Sequence, residues 1–188
     1  ATVAVAKGER LVYSKGFGYS DVEKREPMTA DSIMRIASVS KPLTAIAVLK
    51  MAEKRRLTLD EPIMPVLETR RYRIPSAGDE RWNDIAIRHL LQHTGGWDRD
   101  ISPDPMFQVV EITRAKKLRR PARQADILKY QLTRRLDFAP GERYAYSNFG
   151  YSVMGRVMEA VGEKSYEKLV DELVLKPCGM KNTRLGKT

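Results

Sequence analysis

Ile36-Ala37-Ser38-Val39-Ser40-Lys41-Pro42 is the stretch on which the reading of this chain turns. A helical periodicity runs with it from Ser38 to Arg55, carried by Leu43, Ile46, Ala47, Leu49 and Met51. Pro42 is tolerated only in the first turn of a helix, so the helix is predicted to begin within a turn of Ser38 or Ser40. Ser38 and Lys41 then stand three residues apart on one face, about one turn from each other. An amine placed there can reach the hydroxyl. A serine hydroxyl is a weak nucleophile until a neighbouring base takes its proton, and a lysine near burial or other cations can be that base. The start of a helix also offers unpaired backbone N–H groups, so the Ser38 N–H can stabilise a developing oxyanion. Taken alone, S-x-x-K is a weak pattern, and a serine that caps a helix explains it more often than a nucleophile does.

A second segment changes that balance. Pro140-Gly141-Glu142-Arg143-Tyr144-Ala145-Tyr146-Ser147-Asn148-Phe149-Gly150-Tyr151 holds Y-x-N as Tyr146 and Asn148. In an extended turn before a helix, residues two apart point the same way. Tyr146 can then share a proton with Lys41, activate Ser38 or protonate a leaving group, and Asn148 can hold Lys41 and a substrate carbonyl. The plainer alternative is a packed tyrosine and a capping asparagine.

Both motifs, in this order, resemble those of the serine β-lactamase and penicillin-binding-protein superfamily. The tyrosine form of the second motif is similar to class C β-lactamases, D-Ala-D-Ala carboxypeptidases and related esterases. Phe17-Gly18-Tyr19-Ser20-Asp21, Leu90-Leu91-Gln92-His93-Thr94-Gly95-Gly96 and Cys178-Gly179-Met180-Lys181-Asn182-Thr183 extend the resemblance along the chain. It implies an α/β (α+β) fold, a sandwich of an antiparallel sheet with helices joined to an all-helical region, of which the N-terminal part is present. Residues 1–60 would hold an N-terminal hairpin and the nucleophile helix, 61–175 a mainly helical region, and 176–188 a return toward the α/β part. It implies a serine hydrolase that works through an acyl-enzyme on an ester, a β-lactam or a D-amino-acid peptide. Ser38 would be the nucleophile, Lys41 and Tyr146 the acid and base, Asn148 a substrate-binding residue, and His93 a structural neighbour of the site. No cofactor and no metal are expected, and a periplasmic or secreted location is implied.

The family's third motif, a Lys- or His-Thr/Ser-Gly strand, is not found; Gly186-Lys187-Thr188 reads as coincidence. That strand supplies a second oxyanion donor in the family. Its absence leaves an alternative, a non-catalytic β-lactamase-like binding or structural module, and implies that a second chain or a C-terminal segment completes the fold. The chain opens on Ala1 without an initiator Met or a signal-peptide pattern, and both ends read as cut.

Composition narrows the rest. The 188 residues are 42% hydrophobic and 31% charged, a globular balance with enough apolar material for a core. No apolar run is long enough to cross a membrane as a helix. The single cysteine, Cys178, excludes an internal disulfide, and with His89 and His93 it cannot complete a four-ligand zinc site. Cys178 is expected to pack in the interior. His89 and His93 have i, i+4 spacing, but Leu90 stands where H-E-x-x-H needs glutamate. Lys181 and Asp21 stand where a phosphate loop and a dinucleotide fingerprint need glycine. The net charge is +10, with basic clusters at Arg70, Arg71 and Arg73 and at Lys116, Lys117, Arg119, Arg120 and Arg123. The second cluster lacks the aromatic platforms that base stacking needs, so it reads as a solvated face and no nucleic-acid partner is expected.

Local pattern predicts a hairpin from residues 2–6 and 11–14 around a Lys7-Gly8-Glu9 turn, then a loop over Asp21 to Asp31. It predicts a turn-rich connection over Thr58 to Pro65 and helices over Ile85 to Gln92, Ala122 to Arg134 and from Asn148 or Gly150 to Val161. Gly162 is the C-cap candidate of the last of these. A further helix is predicted over Tyr166 to Leu175, opened by Ser165 and ended by Lys176-Pro177.

Overall fold

A computed structural model describes residues 1–68, 74 and 77–186. The basic cluster at Arg70, Arg71 and Arg73 and the Lys187-Thr188 end lie outside the described residues. The chain divides into two compact units, one built on Ala1–Ala37 and one on Ser38–Leu185.

The first unit holds the predicted hairpin. Strands β1 (Thr2–Lys7) and β2 (Arg10–Gly16) pair antiparallel around a two-residue Gly8-Glu9 turn, with an irregularity between Val5 and Ala6. The register sets Thr2 opposite Gly16 and Lys7 opposite Arg10. The Asp21 to Asp31 loop needs correction. Tyr19–Asp21 (β3) and Glu26–Pro27 (β4) pair as a second, short antiparallel ribbon. Pro27 can end such a ribbon because an edge strand leaves some N–H groups without ladder partners.

The second unit is helical. A 3-10 turn at Ala37–Val39 leads into α1 (Ser40–Glu53), so the helix starts where Pro42 requires, with the proline at its third position. The first N–H groups of a helix have no internal acceptor, so Pro42 removes nothing there. The same rule corrects the Thr58 to Pro65 connection. It contains the start of α2 (Ile63–Leu67), and Pro65 again occupies the third helical position. Helix α3 is Ile87–Leu91, shorter than predicted, and its start is tied to that of α2. Ile63 N–H donates to the Ile85 carbonyl at 2.9 Å and Ile87 N–H to the Glu61 carbonyl at 3.1 Å. Helix α4 (Val109–Ala115) was not anticipated, and α5 (Gln124–Gln131) is shorter than the Ala122 to Arg134 prediction.

Helix α6 (Asn148–Gly162) is the centre of the core. Phe149, Val153, Met154, Val157 and Met158 are buried along it, against Ala47, Val48 and Met51 of α1 and Ile63 and Leu67 of α2. Phe149 also meets Trp82 and Trp97 edge to face, at ring separations of 6.3 and 4.9 Å. The predicted C-cap is corrected by one residue. Gly162 stays helical because Leu169 crosses it; a Cβ there would lie 2.7 Å from the leucine side chain. The left-handed residue is Glu163, at φ 54°. Helix α7 (Tyr166–Val170) is opened by Ser165, whose side chain accepts the Lys168 N–H. It passes into a π-helical turn at Asp171–Leu175, where one unbroken helix was predicted. Cys178 follows in a turn and is exposed, which corrects its expected burial.

Between the helices, Asp79 accepts from Nε and Nη2 along one edge of the Arg81 guanidinium and from the Leu136 N–H, while Arg81 donates to the Leu136 carbonyl. The Arg81 hydrogen bond holds the Asp79 carboxyl far below the usual carboxylate range, against the opposing effect of burial.

Two stability predictions follow from these contacts. Truncating Phe149 to alanine empties the aromatic junction and should cost about 3–5 kcal/mol in denaturant unfolding, whereas Val110→Ala on an exposed surface should stay within about 0.5 kcal/mol. A depressed carboxylate pKa means that the unfolded chain binds the proton more tightly. The Asp79 contribution is therefore complete above about pH 4 and is lost as pH falls toward the folded value. Asp79→Asn should lower the thermal midpoint near neutrality and show a smaller further loss than the native chain between pH 5 and 3.

Candidate active site

Ser38 sits in the 3-10 turn that introduces α1, exposed to solvent, and Ala37 before it has a left-handed φ of 44°. Non-glycine residues pay a steric cost in that region and keep it where surrounding structure holds them. The residue that caps α1 is Val39, which has no side chain able to do so. The capping explanation of Ser38 therefore does not describe this helix. Its Oγ lies 2.7 Å from Tyr146 Oη and accepts from Lys41 Nζ at 3.3 Å. Lys41 Nζ donates a second, shorter bond of 2.8 Å to Asn148 Oδ1. The four residues singled out in the sequence thus meet through three hydrogen bonds.

Tyr146 and Asn148 reach this point because the chain is extended up to Ser147 and helical after it. Ser147 has φ −132° and ψ 122°, and its hydroxyl accepts the Gly150 N–H at 3.0 Å, so serine and not asparagine caps α6. Asn148 is the first helical residue, and its side chain is free to face Lys41. Its backbone N–H is taken by the buried carboxylate of Asp104 at 2.8 Å. Asp104 also accepts the Met106 N–H and so caps the Pro105–Phe107 turn. The Ser147 N–H donates to His93 Nδ1 at 3.1 Å. Three side chains therefore hold one short piece of backbone.

The H-T-G-G segment backs Tyr146. His93 has left his helix face: α3 ends at Leu91 and His93 itself is left-handed at φ 58°. The i, i+4 pairing with His89 does not survive, and His89 Nδ1 accepts the Ala86 N–H instead. The His93 carbonyl accepts the Ala145 N–H at 2.8 Å, and its ring stacks on Tyr146 at 4.6 Å and tilts against Tyr151 at 5.0 Å. Gly96 takes φ 105°, and a Cβ there would lie 2.9 Å from the Phe138 carbonyl oxygen. That close approach lets the Gly96 carbonyl accept the Asp137 N–H at 2.8 Å. Among the described residues no group of three or more His, Cys, Asp or Glu side chains is placed to hold a metal ion.

The electrostatics converge on the phenol of Tyr146. Burial pushes its pKa up, but hydrogen bonding to Lys41 and Ser38 and the charges of Lys41 and Arg99 outweigh burial and bring it below the ordinary tyrosine value. Lys41 Nζ stands 4.7 Å from the Tyr146 ring centre and the Arg99 guanidinium 5.3 Å from it. Burial, then the charge of Lys41, lowers the pKa of His93. An Nδ1 that accepts an N–H carries a lone pair, so the ring is the neutral tautomer with its proton on Nε2. Burial followed by the neighbouring Tyr146 raises the pKa of Tyr151, whose hydroxyl donates to the Leu91 carbonyl.

A second link holds α1 to the far side of the site. The hydroxyls of the buried Thr44 and of Tyr166 lie 2.7 Å apart, and the Tyr166 N–H donates to Glu159 on α6. Asp104, Arg99 and the Thr44–Tyr166 pair were not found in the sequence. Their partners lie far away along the chain, and no local spacing marks them.

Known proteins share this arrangement of elements. The Beta-lactamase family model matches residues 1–188. Protein flp of Staphylococcus aureus (strain MW2) is 28% identical over 188 residues, which are 100% of this chain and 35% of that protein. A penicillin-binding protein of Bacillus subtilis (strain 168) is 29% identical over 98% of this chain and 37% of its own length. The chain thus spans little more than a third of these curated relatives. Among solved structures, the octameric penicillin-binding protein homologue from Pyrococcus abyssi superposes with a TM-score of 0.76 at 28% identity, covering 96% of this chain and 39% of that one. EstCE1, a hydrolase with promiscuous acyltransferase activity, gives a TM-score of 0.78 at 27% identity over 100% of this chain and 48% of that one. With the family pattern running from its first residue to its last, the chain belongs to the Beta-lactamase family.

Proposed function

We propose that this chain carries the acylation centre of a serine hydrolase, with Ser38 as nucleophile, Lys41 and Tyr146 sharing acid and base duty, and Asn148 holding Lys41 and the substrate. The observation that carries the reading is the 2.7 Å approach of Ser38 Oγ to Tyr146 Oη beside the Lys41 amine. Proton transfer needs that reach, and the lowered Tyr146 pKa brings the phenolate into a lower pH range than an ordinary tyrosine would.

The steps follow from that geometry. Tyr146 phenolate takes the Ser38 hydroxyl proton as Oγ bonds to the substrate carbonyl carbon. The carbonyl pair moves onto oxygen, where the Ser38 N–H supplies one donor. As the intermediate collapses, Tyr146 returns its proton to the leaving oxygen or nitrogen, and the scissile bond breaks. Water then attacks the acyl-enzyme carbonyl with the same phenolate as base. Lys41, held by Asn148 within reach of Ser38 Oγ, shares the relay of these protons with Tyr146. His93 is a neutral stacking surface in this scheme. The substrates are acyl compounds of the ester, β-lactam or D-amino-acid peptide class. The hydrolase EstCE1 and the D-amino acid amidase from Ochrobactrum anthropi SV3, both similar to this chain, support that range.

Intact-mass analysis after incubation with a fluorophosphonate or a penicillin should find one adduct, mapped to Ser38 and lost in Ser38→Ala. Persistent labelling of that variant at the native level would remove Ser38 from the mechanism. Tyr146→Phe should slow labelling by about 10²–10⁴-fold. In the native chain the labelling rate should climb with pH as the phenol ionises, with its midpoint below the ordinary tyrosine value of about 10. The phenylalanine variant should lose that rise; an unchanged profile would show that another group is the base.

A further inference from the structure

We propose that helix α4 and the basic loop after it are a peripheral docking surface for an anionic phospholipid bilayer, with Phe107 and Val110 as the inserting groups. This face takes no part in the acylation chemistry, and its role does not depend on Ser38 being a nucleophile.

One side of α4 belongs to the core. Ile112 is fully buried, and Val109, Met106 and Leu118 pack half-buried against the same core. The other side carries apolar groups in water. Phe107, in the turn that leads into α4, is 80% exposed, and Val110 is 56% exposed. Arg114 follows Val110 by one helical turn and shares its face. The Phe107 ring forgoes the burial that Phe138 and Phe149 obtain, so removing it from water is a gain still open to the folded chain.

The cations stand next to these groups. From Phe107 to Arg123 the chain carries Arg114, Lys116, Lys117, Arg119, Arg120 and Arg123 against one carboxylate, Glu111. Arg120 is paired with Asp126 at 2.7 Å. The others are exposed and make no ion pair among the described residues. The fold gathers them. The Leu118 N–H donates to the Thr113 carbonyl at 3.0 Å, Lys117 takes a left-handed φ of 52°, and the Ala122 N–H returns to Thr113 Oγ at 2.8 Å. The basic run is thereby closed into a loop at the end of α4 and does not trail into solvent.

Cations alone suit any polyanion; the apolar groups beside them single out a bilayer. An apolar side chain gains only by leaving water, and the boundary between headgroups and acyl chains offers that. Long Lys and Arg stems can reach headgroup phosphates while a shorter apolar side chain sits deeper. Phe107 has no aromatic neighbour between Gln108 and Arg123, so this face is no platform for successive bases. Among the described residues no helix is long and apolar enough to cross a membrane, so the contact is one of lying on the surface. The net charge of +10 draws the chain toward an anionic leaflet.

Vesicle flotation tests this. The native chain should float with vesicles of equal parts phosphatidylglycerol and phosphatidylcholine and stay behind with phosphatidylcholine alone. Raising the salt concentration should weaken the binding. The double variant Lys116→Gln/Lys117→Gln should bind the anionic vesicles about 30-fold more weakly, about fivefold for each cation. Phe107→Trp puts an indole at the exposed position, while Trp82 and Trp97 are buried. On binding, its emission should shift to the blue and be quenched by lipids brominated in their acyl chains. All of these substitutions fall on exposed side chains, and thermal midpoints equal to the native one confirm that a lost contact is not lost folding. Absence of binding to the anionic vesicles at low salt overturns the proposal. Capture without the indole shift and quenching overturns it too, since the loop is then a general polyanion patch. Undiminished binding by the lysine variant places the contact on another face and is equally fatal.

Discussion

The 2.8 Å bond from Lys41 to Asn148 joins helices that begin more than a hundred residues apart, and the rest of the site depends on it. Lys41 has three N–H donors and no acceptor. Asn148 Oδ1 fixes one of them, and that orientation leaves another for Ser38. Without the asparagine carbonyl, a lysine side chain on the first turn of a helix would sample many rotamers, and the bond offsets the entropy lost in holding one of them. The bond also sets the distance between α1 and α6 at their N-terminal ends. One turn further along α1 the Thr44–Tyr166 contact ties it to the start of α7, whose Tyr166 N–H is held by Glu159 of α6, and the packing of Ala47, Val48 and Met51 against α6 sets the distance beyond that. Successive contacts of different chemistry therefore hold α1 against α6, the middle one through α7.

Charge is distributed around Tyr146 with the same economy. Cations approach the ring from two residues, Lys41 and Arg99, while the imidazole stacked on it is kept neutral by burial and by the Lys41 charge. A protonated His93 would bring a third positive charge against the ring and would lose the Ser147 N–H as donor to Nδ1. Neutral His93 thus serves two ends together: it is an apolar stacking surface, and it is the acceptor that fixes the backbone next to Tyr146. The nearby carboxylates are turned toward backbone N–H groups and toward Arg143, so they brace loops and leave the phenol's environment positive.

The sequence made some of this legible and concealed the rest, for physical reasons. Hairpin β1–β2, the start of α1 at Ser40, two residues before Pro42, and the Ser165 cap of α7 rest on neighbours in sequence, and local rules suffice for them. The Ser38–Lys41 and Tyr146–Asn148 pairs were visible as spacings, and the resemblance joined them. Proline misled where it was read as a loop marker: Pro65 sits inside α2 at a position that needs no N–H. Gly162 misled in the opposite sense, since its value is the close approach of Leu169 and not a left-handed backbone. Asp104 was invisible because a buried carboxylate that takes an N–H from 44 residues away leaves no periodic trace.

The site combines an exposed nucleophile with a buried frame. Ser38 faces solvent, as a group that must meet a substrate has to, and so cannot be held by packing. What holds it is hydrogen bonding to Tyr146 and Lys41, and these are held in turn by the His93 ring and by Asn148. Behind them the support becomes progressively drier: Ser147 and Asp104 are buried, and Trp97 and Phe149 meet edge to face at 4.9 Å. Precision thus passes outward from the aromatic core through capped backbone to the one hydroxyl that cannot be packed. A loss of packing at Phe149 would reach Ser38 through Asn148 and Lys41, which makes the stability of α6 and the geometry of the site a single property of this chain.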